Sequence, residues 1–177
     1  VDLIESRRTR LRPVQSGGVL AYSLRRHKGR RVRLADGTVI SFGDLVLEVH
    51  LDNGAMTQAA GTSPWRRLEL ARADLAVLGQ AVADARFGPV RAAHGTALLG
   101  VAGRRIGFEL YRLPRTWKWR IERIFLVGMD VIHHPQGTRR LHRPGAERWP
   151  SELWMSRATL LDRYGPGSGS APSALRM

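Results

Sequence analysis

Between Gly43 and Gly54 apolar and polar residues alternate. Leu45, Leu47, Val49 and Leu51 fall on one face of an extended segment, and Val46, Glu48, His50 and Asp52 fall on the other. The alternation predicts a half-buried strand whose second face is more polar than a buried face should be. Asn53-Gly54 follows, and both residues tolerate positive φ, which predicts a turn at the strand's end. Upstream, residues 19–26 read as a strand, and two short runs at 31–34 and 38–40 flank Asp36-Gly37, a strong hairpin signal. Gly43-Asp44 turns the chain into the alternating segment.

Downstream the period changes. Ser63 and Pro64 suit the cap and first position of a helix. Leu68, Ala71, Leu75, Leu78 and Val82 then recur at spacings of three and four, one apolar stripe on a long amphipathic helix near 64–87. Phe87-Gly88-Pro89 predicts its end. Residues 90–99 read as a strand running into a short helix, and 106–113 as another strand. A second helix is expected near 115–132, with Trp117, Ile121, Ile124, Phe125, Gly128 and Ile132 along one side. A last strand at 152–155 leads into a short C-terminal helix capped by Ser156 and ended by Gly165. There is no internal repeat. Strands first, with helices among the later strands, predict an α+β (or mixed α/β) fold. The expected organisation is a basic arm at 1–16, one domain at 17–165, and a disordered Gly/Ser/Pro tail at 166–177.

Composition narrows the chemistry. At 177 residues the chain can bury a real core. Its formal net charge is +14, and 27 of the 29 basic residues are arginine, Lys28 and Lys118 being the exceptions. Such a field attracts polyanions: nucleic acid, anionic headgroups or acidic wall polymers. The coding bias of a GC-rich genome produces the same composition, so the charge alone names no partner. Cysteine is absent, which excludes disulfides, cysteine-ligated metal sites and thiol nucleophiles. The first residues lack the apolar core of a secretory signal, and the longest apolar run, 124–132, is interrupted by Asp130 and too short to span a bilayer. The expectation is a cytoplasmic protein without a transmembrane segment, or one peripheral at the inner face of the membrane.

Two groups of residues carry candidate chemistry. Glu48, His50 and Asp52 share a strand face, with neighbours about 7 Å apart, and Asn53 follows. A carboxylate beside an imidazole fixes its tautomer and can raise its pKa, as in a general base; it also serves structural cross-strand pairing or ligand hydrogen bonding equally well. His94, beside Gly95-Thr96, is a further pocket candidate. The second group is basic and aromatic: Arg112, Arg115, Lys118, Arg120 and Arg123 surround Trp117 and Trp119. On a helix the two tryptophans lie about 200° apart, so one, taken here as Trp119, turns from the core. Arginine with exposed tryptophan suits an anionic membrane surface or single-stranded nucleic acid. No metal site is expected, because the histidines show neither His-Glu-x-x-His nor His-x-x-x-His spacing. No nucleotide-binding glycine loop and no Gly-x-Ser-x-Gly elbow occurs, so no cofactor is expected.

The stretches DGTVISFGDLVLEVHLDN (36–53), IGFELYRLP (106–114) and ELWMSRATLLDRYG (152–165) together resemble the YkoP-like domain, from about Tyr22 to Gly165. The pattern is carried by Gly43, Asp44, Val46, Glu48, His50 and Asn53. That domain occurs alone in bacteria or attached to polysaccharide deacetylases, so the resemblance implies a setting in envelope polysaccharide metabolism. Deacetylase activity does not carry over, because the histidine spacing of its metal site is missing. The expected function is therefore a non-catalytic accessory or binding domain. Its ligand would be a glycan, a lipid-linked sugar or a partner envelope enzyme, contacted through Glu48, His50, Asn53 and His94. The alternatives are an arginine-driven nucleic-acid-binding protein and a hydrolase using Glu48 and His50.

Overall fold

The computed structural model describes residues 11–84, 87–97, 100–116 and 149–168, with only the backbone of residues 53, 60, 100 and 101. The fold is α+β: a six-stranded mixed sheet with helices on one face and a small hairpin on the other. Strand β1 is Arg12–Pro13, β2 is Leu20–Arg26, β3 is Val32–Arg33, β4 is Val39–Ile40 and β5 is Leu45–Leu51. Helix α1 (Asn53–Gln58) and a 3₁₀ turn (Ala59–Gly61) lead into α2 (Pro64–Ala83). Strand β6 (Ala92–Ala97), α3 (Gly100–Arg105), β7 (Glu109–Arg112), β8 (Ser151–Ser156) and α4 (Arg157–Tyr164) complete the described elements. The sheet order is β1-β2-β5-β6-β8-β7, and β3 and β4 form a separate pair. Only the β5–β6 pairing is parallel among these strands, as the crossover through α2 requires.

The alternation in β5 is what places the two layers. Leu47, with Leu45 and Val49, packs against Leu68, Ala71, Leu75, Leu78 and Val82 of α2 and against Leu160 and Tyr164 of α4. Val46 faces the other way, into a second cluster with Val32, Leu34, Ile40, Ala92 and Trp154 beneath the β3–β4 hairpin. The predicted Asp36-Gly37 turn closes that hairpin: Gly37 has φ +84°, and the Thr38 amide donates to Asp36 Oδ1 at 2.9 Å. The hairpin is tied to the sheet by Glu109, whose two carboxylate oxygens accept from the Ala35 amide, each at 3.0 Å. The Tyr111 hydroxyl adds a bond to the Arg33 carbonyl at 2.6 Å.

Three expectations change in detail. Asn53-Gly54 does not turn out of the strand but opens α1, because Asp52 acts as its N-cap and accepts from the Ala55 amide at 2.9 Å. Helix α2 stops at Ala83, four residues before Phe87, and its carbonyls at Val82 and Gly88 beyond are bound by Arg157. The basic arm joins the sheet at Arg12–Pro13, pairing with Tyr22 and Ala21. Ser63 and Ser156 cap α2 and α4 as expected. The helix expected near 115–132 lies, from residue 117 on, outside the described residues.

One residue on the apolar stripe of α2 is charged. Asp74 is fully buried and accepts from the amides of Val19 and Leu20 at 2.7 and 2.8 Å and from Gln15 Nε2 at 2.8 Å. Gly18 passes so close that a methyl group there would overlap the Asp74 carboxylate. Asp74→Ala strands two buried amides, at about 1–3 kcal/mol each. The expected fall in Tm is on the order of 10 °C, with Gly18→Ala moving in the same direction. A thermal melt of Asp74→Ala within two or so degrees of the parent would contradict this account.

Candidate functional site

Register brings the polar residues of the hairpin-side face into one row across the sheet. Ser23 of β2 lies opposite Glu48 of β5, Glu48 opposite His94 of β6, His94 opposite Trp154 of β8, and Trp154 opposite Glu109 of β7. The β2–β5 pairing also places Arg25 beside Val46 and Ala21 beside His50, so Arg25, Ser23, Glu48 and His50 share one face.

Glu48 is the electrostatic centre of the row. Its Oε2 accepts from Arg25 Nη1 at 2.7 Å, lies 3.5 Å from His50 Nε2, and lies 3.5 Å from Ser23 Oγ. The Glu48 side chain is 18% exposed, whereas Arg25 and His50 are 53% and 41% exposed. Burial works to raise the Glu48 pKa. The hydrogen bonds and positive fields of His50 and Arg25 outweigh it and bring it down to about 2. Glu48 is therefore an anion at any ordinary pH, with one oxygen committed to its neighbours.

His94 is tuned the opposite way. Its ring lies against that of Trp154, centroids 4.1 Å apart and planes inclined by 31°. Burial is the main influence and lowers its pKa. The Glu48 charge works against this, and His27, His50 and Arg25 reinforce it, leaving a value of about 4. His94 is neutral, and its Nε2 is buried with no hydrogen-bond partner. Trp154 is itself fully buried, with the His27 ring edge-on at 5.4 Å, so its faces are taken up within the protein.

Of the residues singled out from sequence, Glu48, His50 and His94 thus come together on one face. Asn53 begins α1 beyond the strand, and Asp52 is occupied as that helix's cap. Arg112 is exposed at the end of β7 and Arg115 just past it, and the Arg115 guanidinium sits over the Trp149 ring, 5.7 Å from its centroid. Lys118, Trp119, Arg120 and Arg123 lie outside the described residues, as do Trp117, His133 and His134. Among the described residues no three His, Asp or Glu side chains form a metal-binding group, and no helix is long and apolar enough to cross a membrane. Sequence reasoning missed Arg25 and Ser23. The only available signal was that both sit at alternate positions of a strand able to pair with the Glu48 segment.

The model of the YkoP domain matches residues 1–164 of the chain. The chain belongs to the YkoP domain family. No curated protein and no solved structure matches it. The residues that carried the resemblance fall on structurally distinct positions of this YkoP domain. Gly43 and Asp44 form the turn into β5, Val46 lies in the hairpin-side core, and Glu48 and His50 stand on the polar row.

The two perturbed groups predict a two-stage acid response. His94 binds its proton more weakly folded than unfolded, so its contribution is present above pH 6.5 and is lost as pH falls from 6.5 through about 4. The loss amounts to something on the order of 3 kcal/mol. Glu48 contributes above pH 4.5 and loses that contribution as pH falls from 4.5 towards about 2. In urea unfolding across this range, His94→Phe is expected to flatten the upper stage and leave the lower. An unchanged profile in that variant would refute the assignment.

Proposed function

We propose that this YkoP domain is a non-catalytic binding module serving bacterial envelope polysaccharide chemistry, with the Glu48–His50–His94 face as its ligand contact. The observation that carries the reading is the buried, neutral His94 Nε2 without a partner, opposite an ionised Glu48 in the same row. Buried polar atoms are nearly always hydrogen-bonded, and one without a protein partner next to a carboxylate supports a ligand hydroxyl as the missing partner, reached when the side chains over it part. Half-exposed His50 and Arg25 supply further polar contacts on the same face. The setting beside polysaccharide deacetylases that the sequence resemblance implies supports a glycan or lipid-linked sugar as the ligand class.

The charge states argue against a hydrolytic role for the same face. With its pKa near 2, Glu48 has no proton to give near neutrality and is a feeble base. Its ion pair with Arg25 and contact with His50 make it a fixed acceptor, which suits recognition. The tryptophan in the row stacks on His94 and does not present a free face to a sugar ring.

Glu48→Ala combined with His50→Ala is expected to keep the Tm within a few degrees and to abolish binding of soluble peptidoglycan fragments, followed by saturation-transfer NMR. His94→Phe should weaken the same signal about tenfold, through loss of one buried hydrogen bond. If the double variant loses its fold, the face is structural. If the parent instead retains random oligonucleotides in a salt-dependent manner that Arg115→Ser weakens, the partner is nucleic acid.

A further inference from the structure

From the end of β2 through β3 the chain reads RRHKGRRVR, residues 25–33, and Arg26, Lys28, Arg30, Arg31 and Arg33 are all exposed. Arg25 is engaged by Glu48 and Arg26 by the Gly43 carbonyl, so Lys28, Arg30, Arg31 and Arg33 form the free part of the run. His27 is buried in their midst and organises them. Its ring Nε2 is 2.8 Å from the Arg30 carbonyl, which folds the cationic segment back on itself. Its backbone is clamped to a second turn, Ser41-Phe42-Gly43-Asp44: the His27 amide donates to the Asp44 carbonyl and the Gly43 amide to the His27 carbonyl, both at 2.8 Å. Arg26 Nη1 adds a bond to the Gly43 carbonyl at 2.9 Å.

That second turn is rigid. The Asp44 amide donates to the Ser41 carbonyl at 3.1 Å, the Ser41 amide donates to Asp44 Oδ2 at 2.7 Å, and Gly43 takes φ +89°. This is the geometry of a type II turn, with glycine where positive φ is required. It leaves Phe42 at the outward corner, 77% exposed, the most exposed large apolar side chain among the described residues. The phenyl ring is left largely in solvent, and the turn that carries it is bonded to Arg26 and His27, at the start of the cationic run.

We infer that the Phe42 turn and the Lys28–Arg31 segment form a docking tip for an anionic bilayer, the ring entering the headgroup–acyl boundary while Lys28, Arg30 and Arg31 meet lipid phosphates. Charge complementarity names the occupant's sign, and the protruding ring names its apolar interior. A single-stranded nucleic acid prefers an aromatic set within a cationic groove that follows its backbone, whereas Phe42 stands on a corner. The tip does not depend on the glycan reading, since it is built from different residues.

The test is flotation of the full chain with vesicles of phosphatidylcholine alone or of phosphatidylcholine with one-third phosphatidylglycerol. Binding is expected only to the anionic vesicles. Phe42→Ser, which leaves the net charge unchanged, should weaken it about tenfold, and Lys28→Ser with Arg30→Ser roughly thirtyfold, with Tm unaltered because all three side chains are exposed. Phe42→Trp should restore binding and be quenched by brominated acyl chains. Equal binding by the parent and Phe42→Ser would show attraction by charge alone and overturn the proposal. So would absence of binding to anionic vesicles, or full displacement from them by an oligonucleotide whose own binding Phe42→Ser weakens equally.

Discussion

A buried carboxylate holds the fold's layers in register. Asp74 sits on the apolar stripe of α2 and binds the amides of Val19 and Leu20 where β2 begins. A carboxylate taken from water is costly unless its lone pairs are filled, and here three donors fill them. The consequence is positional. The helix cannot slide along the sheet without stranding both the charge and the amides, and β2 cannot slip by one residue. Val19 also accepts the Asp52 amide at 2.8 Å, so the same junction fixes the far end of β5.

With β2 and β5 held in this way, the polar row follows from the pleat. A slip of one residue would exchange Leu24 and Leu47 for Ser23 and Glu48, sending the apolar pair to the hairpin side and the charge into the helical core. The parallel step from β5 to β6 then sets His94 against Glu48, and the antiparallel step to β8 sets Trp154 against His94. Gly95 is the residue that permits the close approach, since a side chain there would press on the Val49 carbonyl. Two titratable groups placed side by side are driven to opposite extremes. Exposed cations keep Glu48 ionised, and burial against Trp154 keeps His94 neutral.

The parts of this arrangement legible from sequence were the local ones. Alternation in 45–51 separated the two faces of β5 correctly because each position was decided by its own neighbours. The caps at Ser63 and Ser156 and the Asp36-Gly37 hairpin were legible for the same reason. Asp52-Asn53-Gly54 misled because the same three residue types serve a turn and a helix start, and only the following packing of α1 decides between them. Asp74 was passed over, although its place three residues after Ala71 puts a charge on the apolar stripe, an anomaly that signals a buried partner without naming it. His94 was named with Glu48 as a site candidate by residue type alone; that they would face each other was not derivable, because a crossover through α2 brings them together and periodicity carries no information on which strands become neighbours.

His27 links the sheet's interior to its basic edge. Its ring stands edge-on to Trp154 at 5.4 Å, its Nε2 is bonded to the Arg30 carbonyl, and its backbone fastens the turn bearing Phe42. Gly29 is required beside it, because a Cβ at that position would press on the imidazole. The aromatic stack that seats His94 and the turn that displays Phe42 therefore share one buried side chain. The arginines around it gain a definite geometry that composition alone could not confer. A net charge of +14 spread by coding bias would leave these cations on independent side chains in solvent. Here the cations of 26–31 are carried on a segment whose backbone is anchored at its middle, so the local field at this end of the sheet is a property of the fold.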